Sequence, residues 1–154
     1  MSKTALLSID FQKGFDEPVW GVRNNPDAEI KMARLLRAWR DKGLPIIHIQ
    51  HCSSEENSPL KVGASGNAFK DEVKPIQGEK VFGKTVNSAF IGTDLEQYLR
   101  ENGINSLVIA GLTTDHCVST TTRMAGNFGF DVTLVSDATA TFDRTGEDGI
   151  HYSA

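Results

Sequence analysis

Ser106-Leu107-Val108-Ile109-Ala110 runs directly into Gly111-Leu112-Thr113-Thr114-Asp115-His116-Cys117-Val118, and this stretch decides how the chain folds. The first segment is an apolar run short enough to be a buried strand. The second is a polar turn that opens a helix at Thr114 or Asp115, running to about Phe128 with Gly129 as its stop. The junction leaves the Cys117 thiol near the helix's first turn. There, unpaired backbone N–H groups and the positive end of the macrodipole favour thiolate, the reactive form. The alternative reading of Cys117 is a buried, inert core thiol, the usual fate of a free cysteine.

Outward from this junction, apolar runs alternate with amphipathic stretches, the pattern of parallel strands joined by crossover helices. Thr4–Ile9, Pro45–Ile49, Ser106–Ala110 and Asp131–Val135 read as buried strands, and Lys80-Val81-Phe82 as a weaker member. One helix is expected where Asn25 caps, Pro26 takes the first turn and Ala28, Met32, Leu35, Leu36 and Trp39 share a face, ending at Gly43 and Pro45. A second starts with a capping box, Thr93 with Glu96, turns Leu95, Tyr98 and Leu99 inward and stops at Gly103. Between Cys52 and Gly78 the pattern dissolves into polar residues, Gly and Pro, too long for a simple connection.

The 154 residues, 39% hydrophobic and 23% charged, suit one compact domain, residues 1–154, with a real core. A net charge of −4 without any basic stretch lacks the footprint of a nucleic-acid binder, so a small-molecule partner is expected. The apolar run Ala5–Ile9 is too short for a membrane span or signal segment, and a cytoplasmic protein is expected. Cys52 and Cys117 cannot form a disulfide framework; Cys52 reads as a bystander.

Open parallel sheets bind ligands at the carboxyl ends of their strands. Asp10, the Gln50-His51-Cys52 segment, Lys84 and Cys117 occupy those positions. A carboxylate leaving an apolar run is partly desolvated, which raises its pKa toward that of a useful general base. Alone, Asp10 reads more readily as a helix cap or turn former, and Lys84 by default as a surface lysine. Together they make a set: the carboxylate accepts the thiol proton, the ammonium holds the carboxylate and offsets thiolate charge, and the thiolate attacks a carbonyl carbon.

With Leu7-Ser8-Ile9-Asp10-Phe11-Gln12, Gly83-Lys84, Ser88-Ala89-Phe90 and the Gly111–Val118 octet in this order over essentially the whole chain, the sequence resembles the isochorismatase-like cysteine hydrolases, which include nicotinamidases and N-carbamoyl amide hydrolases. The resemblance implies a three-layer α/β/α fold on a Rossmann-like, doubly wound parallel sheet of five to six strands. It implies a catalytic triad of Asp10, Lys84 and Cys117. It also implies a cis peptide between Leu112 and Thr113 and an oxyanion hole from the N–H groups of Thr113 and Cys117. The reaction implied is hydrolysis of a small carboxamide or N-carbamoyl substrate through a thioester, releasing ammonia or an amine, by a homo-oligomer (dimer or tetramer) without a cofactor. A further helix and strand usually follow a segment like Asp143–Ala154, and Ser153-Ala154 reads as the opening of that helix.

Gln12, Phe15, Trp20 and His51 are the candidate substrate contacts; aromatic residues in such loops are more often core, the alternative for Phe15 and Trp20, and His51 reads equally as a packing residue. His116 reads as a support or solvent-facing residue, since neighbours on a helix point about 100° apart. His48 and His51, three apart on a strand, face opposite ways and do not suit one ion, so no metal is expected. Members that cleave a vinyl ether lack the cysteine, so Cys117 weighs against that activity. The rivals to amide hydrolysis are an isochorismatase- or ester-type hydrolase and a non-catalytic binding or scaffold protein.

Overall fold

The computed structural model describes residues 3–154. Along the chain, β1 (Lys3–Ile9) is followed by α1 (Ala28–Asp41), β2 (Ile46–His51), β3 (Lys80–Lys84), α2 (Leu95–Glu101) and β4 (Ile104–Leu112). A π-helical turn at Thr114–Val118 then leads into α3 (Ser119–Asn127), β5 (Asp131–Ala140) and a two-stranded hairpin, β6 (Arg144–Thr145) with β7 (His151–Tyr152).

The main sheet has five strands in the order β3-β2-β1-β4-β5, and its neighbours pair in parallel. Two apolar clusters explain why it is doubly wound. Side chains alternate across a strand, so Ala5, Leu7 and Ile9 of β1 pack with Leu95 and Leu99 of α2 and Ala125 of α3. Leu6 points the other way, onto Ala28, Met32 and Leu36 of α1. Those three recur every fourth residue and form one helical stripe. Chain order runs from β1 outward to β3 and then crosses back to β4, so the crevice between the carboxyl ends of β1 and β4 is the switch point where such sheets bind ligands.

Several local expectations give way to longer-range bonds. Asn25 does not cap α1: it is left-handed (φ 41°), and its side-chain amide donates to the carbonyls of Asp137 at 2.9 Å and Thr139 at 2.6 Å, tying the α1 approach to β5. The capping box at α2 is half formed. Thr93 Oγ1 accepts from Leu95 N–H at 3.3 Å, while Glu96 turns outward to Arg100. β5 continues beyond Val135 to Ala140 through a register shift opposite Ile109–Gly111. His151–Tyr152 is a strand of the small hairpin, and Ser153-Ala154 is not helical.

The segment after Cys52 is folded onto the start of the chain. Phe69 bridges Gln12, Lys13 N–H donates to Ala68 O at 2.9 Å and Lys70 N–H to Phe11 O at 2.9 Å. Gly14 and Gly66 make this approach possible, because a Cβ on Gly66 would lie 2.4 Å from Pro59 O and 2.7 Å from Gly14 Cα. No helix among the described residues is long and apolar enough to cross a membrane.

Candidate active site

Asp10 is the first residue past β1 and sits in the left-handed region (φ 52°), a conformation uncommon for any residue but glycine and most tolerated by Asn and Asp. Its carboxyl group is wholly buried. Lys84, the last residue of β3, reaches across to it, Nζ to Oδ2 at 2.7 Å. The same Nζ lies 3.2 Å from Cys117 Sγ and 2.9 Å from His51 Nδ1. An acid, a thiol and an imidazole from the ends of β1, β2 and the β4–α3 junction thus converge on one ammonium.

The electrostatics follow from burial. Desolvation raises the Asp10 pKa, and the Lys84 charge and hydrogen bond pull it back only partly. Asp10 Oδ1 has no hydrogen-bond partner among the described residues, which leaves a buried acceptor beside the thiol. Burial pushes the Cys117 thiol up to about 12, the facing Asp10 adds to the rise, and Lys84 opposes it. The expectation of a resting thiolate is therefore corrected: the helix-start dipole is outweighed by the loss of water. His51 is held down to about 4, by burial first and then by Lys84.

The donor atoms of Asp10, His51 and Cys117 lie within 4.8 Å of one another, the spacing of a metal-ligand set. Here Lys84 Nζ contacts all three and is itself the cation they surround. His48 points to the opposite side of β2, where its Nε2 meets Glu79 Oε2 at 2.8 Å, and it shares nothing with His51.

At the other flank, the β4 backbone passes tightly over β1. Gly111 has φ 155°, and a Cβ there would lie 2.3 Å from Ile9 O. The next peptide, Leu112–Thr113, is cis. Thr113 O then accepts from the N–H groups of His116 and Val118, closing the turn that presents Cys117.

Above the thiol is a cavity of about 270 Å³ lined by Phe15, Trp20, His51, Leu60, Asn87, Thr113, His116, Cys117 and Arg144. That is room for about nine waters at about 30 Å³ each. Phe15 and Trp20 form one wall, their rings 5.1 Å apart, backed by Phe142. A larger depression of about 620 Å³ lies against α1, but the described residues lining it offer no thiol or hydroxyl. Its charges pair with one another, Arg23 and Lys70 on Glu29, Lys13 on Asp71.

Gln12 is corrected: it is fully buried and does not line the cavity. Its amide Nε2 donates to the carbonyls of His51 and Asn67, both at 2.9 Å, and its Oε1 accepts from His51 N–H at 2.8 Å. Asn67 completes the clamp by donating to His51 O and Leu60 O. Gln12 therefore positions His51 from beneath. Sequence reasoning missed three lining residues. Asn87, whose Oδ1 is 3.7 Å from Cys117 Sγ, lay in view three positions after Lys84. Leu60 sits in the polar loop, where nothing marked it. Arg144 follows the true end of β5 at Ala140, five residues beyond the apolar run that marks this strand in the sequence.

The Isochorismatase domain model matches residues 4–151. The uncharacterised isochorismatase family protein YrdC of Bacillus subtilis (strain 168) is 50% identical over 99% of this chain and 81% of its own length. An isochorismatase-family crystal structure from Chromobacterium violaceum superposes with a TM-score of 0.95 at 53% identity, over 99% of this chain and 79% of that one. N-carbamoylsarcosine amidase from Thermoplasma acidophilum superposes with a TM-score of 0.78 at 27% identity, over 95% and 87% of the two chains. With the parallel sheet, the site at its switch point and these likenesses in hand, the chain belongs to the isochorismatase family of hydrolases.

Proposed function

We propose that the protein is a cysteine-dependent hydrolase of a small carboxamide or N-carbamoyl compound, working through a thioester and releasing ammonia or an amine. The observation that carries this reading is the single buried ammonium of Lys84 in contact with both Asp10 Oδ2 and Cys117 Sγ. The likeness to an N-carbamoylsarcosine amidase supports the choice of C–N bond chemistry.

In the proposed cycle the free oxygen of Asp10 takes the Cys117 proton as sulfur attacks the acyl carbon. A thiol held up to about 12 makes this transfer concurrent with attack. Lys84 stabilises the negative charge as it moves between carboxylate and sulfur. The backbone N–H groups of Thr113 and Cys117 receive the tetrahedral oxyanion. His51 accepts from Lys84 at Nδ1, so its neutral ring carries the proton on Nε2 and offers it to the substrate. The intermediate collapses to the thioester as Asp10 returns the proton to the leaving amine. Water, deprotonated by Asp10, then hydrolyses the thioester and restores the thiol. Phe15 and Trp20 exclude solvent along one wall.

An ammonia-release screen over small amides and N-carbamoyl compounds tests the proposal. Cys117→Ala is expected to lower kcat by at least about 1,000-fold, with a covalent adduct on Cys117 seen by mass spectrometry in the parent protein. Full activity in Cys117→Ala would remove the nucleophile. Turnover of esters or vinyl ethers with no ammonia from any amide would move the protein to its rival class.

A further inference from the structure

We infer that Arg144 is a carboxylate-recognition residue and that the substrate is an acid as well as an amide; this rests on the amide reading above for turnover, but not for binding. Among the described residues lining the cavity over Cys117, Arg144 carries the single permanent charge. Its guanidinium is held in a fixed orientation. Nε donates to Asp115 Oδ2 at 3.0 Å, and Nη2 lies 3.0 Å from His116 Nδ1, which must accept because a guanidinium only donates. Nη1 makes no hydrogen bond to the described residues, leaving one edge of the fork for a ligand.

The anchor is itself anchored. Thr141 Oγ1 donates to Asp115 Oδ1 at 2.6 Å, so both carboxylate oxygens of Asp115 are engaged. Although burial raises it, hydrogen bonds from Thr141 and Arg144 hold Asp115 at about 2, and it remains an anion at any working pH. The link from β5 to β6 that leads into Arg144 is pinned in turn, Thr141 N–H to Asn24 Oδ1 at 2.8 Å and Asp143 N–H to Val22 O at 2.7 Å. An arginine serving only as a surface ion-pair partner has no reason to be buttressed on two sides at the mouth of a nucleophile's cavity. A planar fork with a free edge is the geometry that takes a carboxylate. Cys117 at the floor and Arg144 at the rim therefore read the two ends of one short molecule, the scissile carboxamide and a carboxylate. A small amino-acid-like or half-amide acid fits the cavity between them.

The test uses succinamate, which joins a carboxamide and a carboxylate through two methylenes, and its neutral methyl ester. Calorimetric titration into the Cys117→Ala protein separates binding from turnover. Succinamate is expected to bind about 10- to 100-fold more tightly than the ester, the range for a charge-assisted contact at a partly exposed site. Adding Arg144→Gln is expected to erase that preference, and Arg144→Glu to reverse it. Equal binding of the two probes, no binding of succinamate, or a preference that survives in both Arg144 variants would overturn the inference. Ammonia release from succinamate by the parent protein is read separately. Carboxylate preference without ammonia from succinamate leaves Arg144 standing, and the wider amide screen then decides the amide reading; ammonia without preference overturns the carboxylate inference and leaves the amide reading standing.

Discussion

Lys84 is the residue on which the site turns. Burial raises the Asp10 pKa and Lys84 lowers it, so the ammonium sets the lowest pH at which a base is available. Removing it by Lys84→Met deletes the larger lowering influences and leaves desolvation opposed only by the Cys117 thiol. The acid limb of the kcat/KM profile is then expected to move to higher pH, with a fall in kcat as thiolate charge loses its counterion. An acid limb that stays in place would show that Asp10 is not the titrating base. That Asp10, Lys84 and Cys117 were legible at all reflects position, since each ends an apolar run at the same edge of a parallel sheet. Their protonation states were not legible. The octet around Cys117 displays a helix start but not the depth at which the thiol lies, and depth governs. The role of Gln12 is illegible for a similar reason, because an amide near a strand end looks the same whether it meets substrate or clamps the His51 backbone from 39 positions away.

Among the elements, the β4 terminus is the most constrained. Its last residues cross β1 so closely that Gly111 has no space for a side chain, the obstacle being the Ile9 backbone rather than a movable group. Gly111→Ala is expected to destabilise the protein by about 1–3 kcal/mol, the usual cost of forcing extra volume into packed structure. It is also expected to lower kcat/KM, because Thr113 and Cys117 take their positions from this crossing. Denaturant titration beside a rate assay checks both effects, and unchanged stability would mean that the β1–β4 spacing relaxes freely. The strands of the sheet were legible because buried parallel strands are short apolar runs. β5 was cut short because Ser136 and Asp137 interrupt its apolar run where the register shifts, and only pairing with β4 shows that Ala138–Ala140 continue the same strand. The Cys52–Gly78 segment carries no periodicity, since its order comes from Gly14–Gly66 contact and bonds to the start of the chain.

Over the whole molecule, the two apolar clusters hold the layers, while a buried ion network locks the long segment after β2 to α1. Glu29 accepts from Arg23 at 2.6 Å and from Lys70 at 2.7 Å. Burial favours its neutral form, yet the hydrogen bonds and charges of Arg23 and Lys70 hold it at about 2 against the ordinary 4.5. A carboxylate lowered on folding contributes stability that is fully present above about 4.5 and is lost as pH falls toward about 2. His51 adds to the same slope at milder pH. Its folded value is about 4 against 6.5, so the unfolded chain takes the proton first and stability falls as pH drops through that window. Asp10 runs the other way. Its raised pKa means that the folded state binds the proton more readily, and its contribution to stability is lost as pH rises past the ordinary carboxylate range. Because these contributions overlap, the parent's Tm against pH cannot assign them, but the difference between the parent and Glu29→Gln can. Glu29→Gln is expected to melt at a lower temperature near neutrality, where Arg23 and Lys70 lose their shared anion, and the gap is expected to narrow as pH falls from about 4.5 toward 2. A gap that stays constant over this range, measured by thermal melting at matched ionic strength, would mean that the carboxylate acts through packing alone. A narrowing gap would identify charge as what fastens the His51-supporting segment to the rest of the fold.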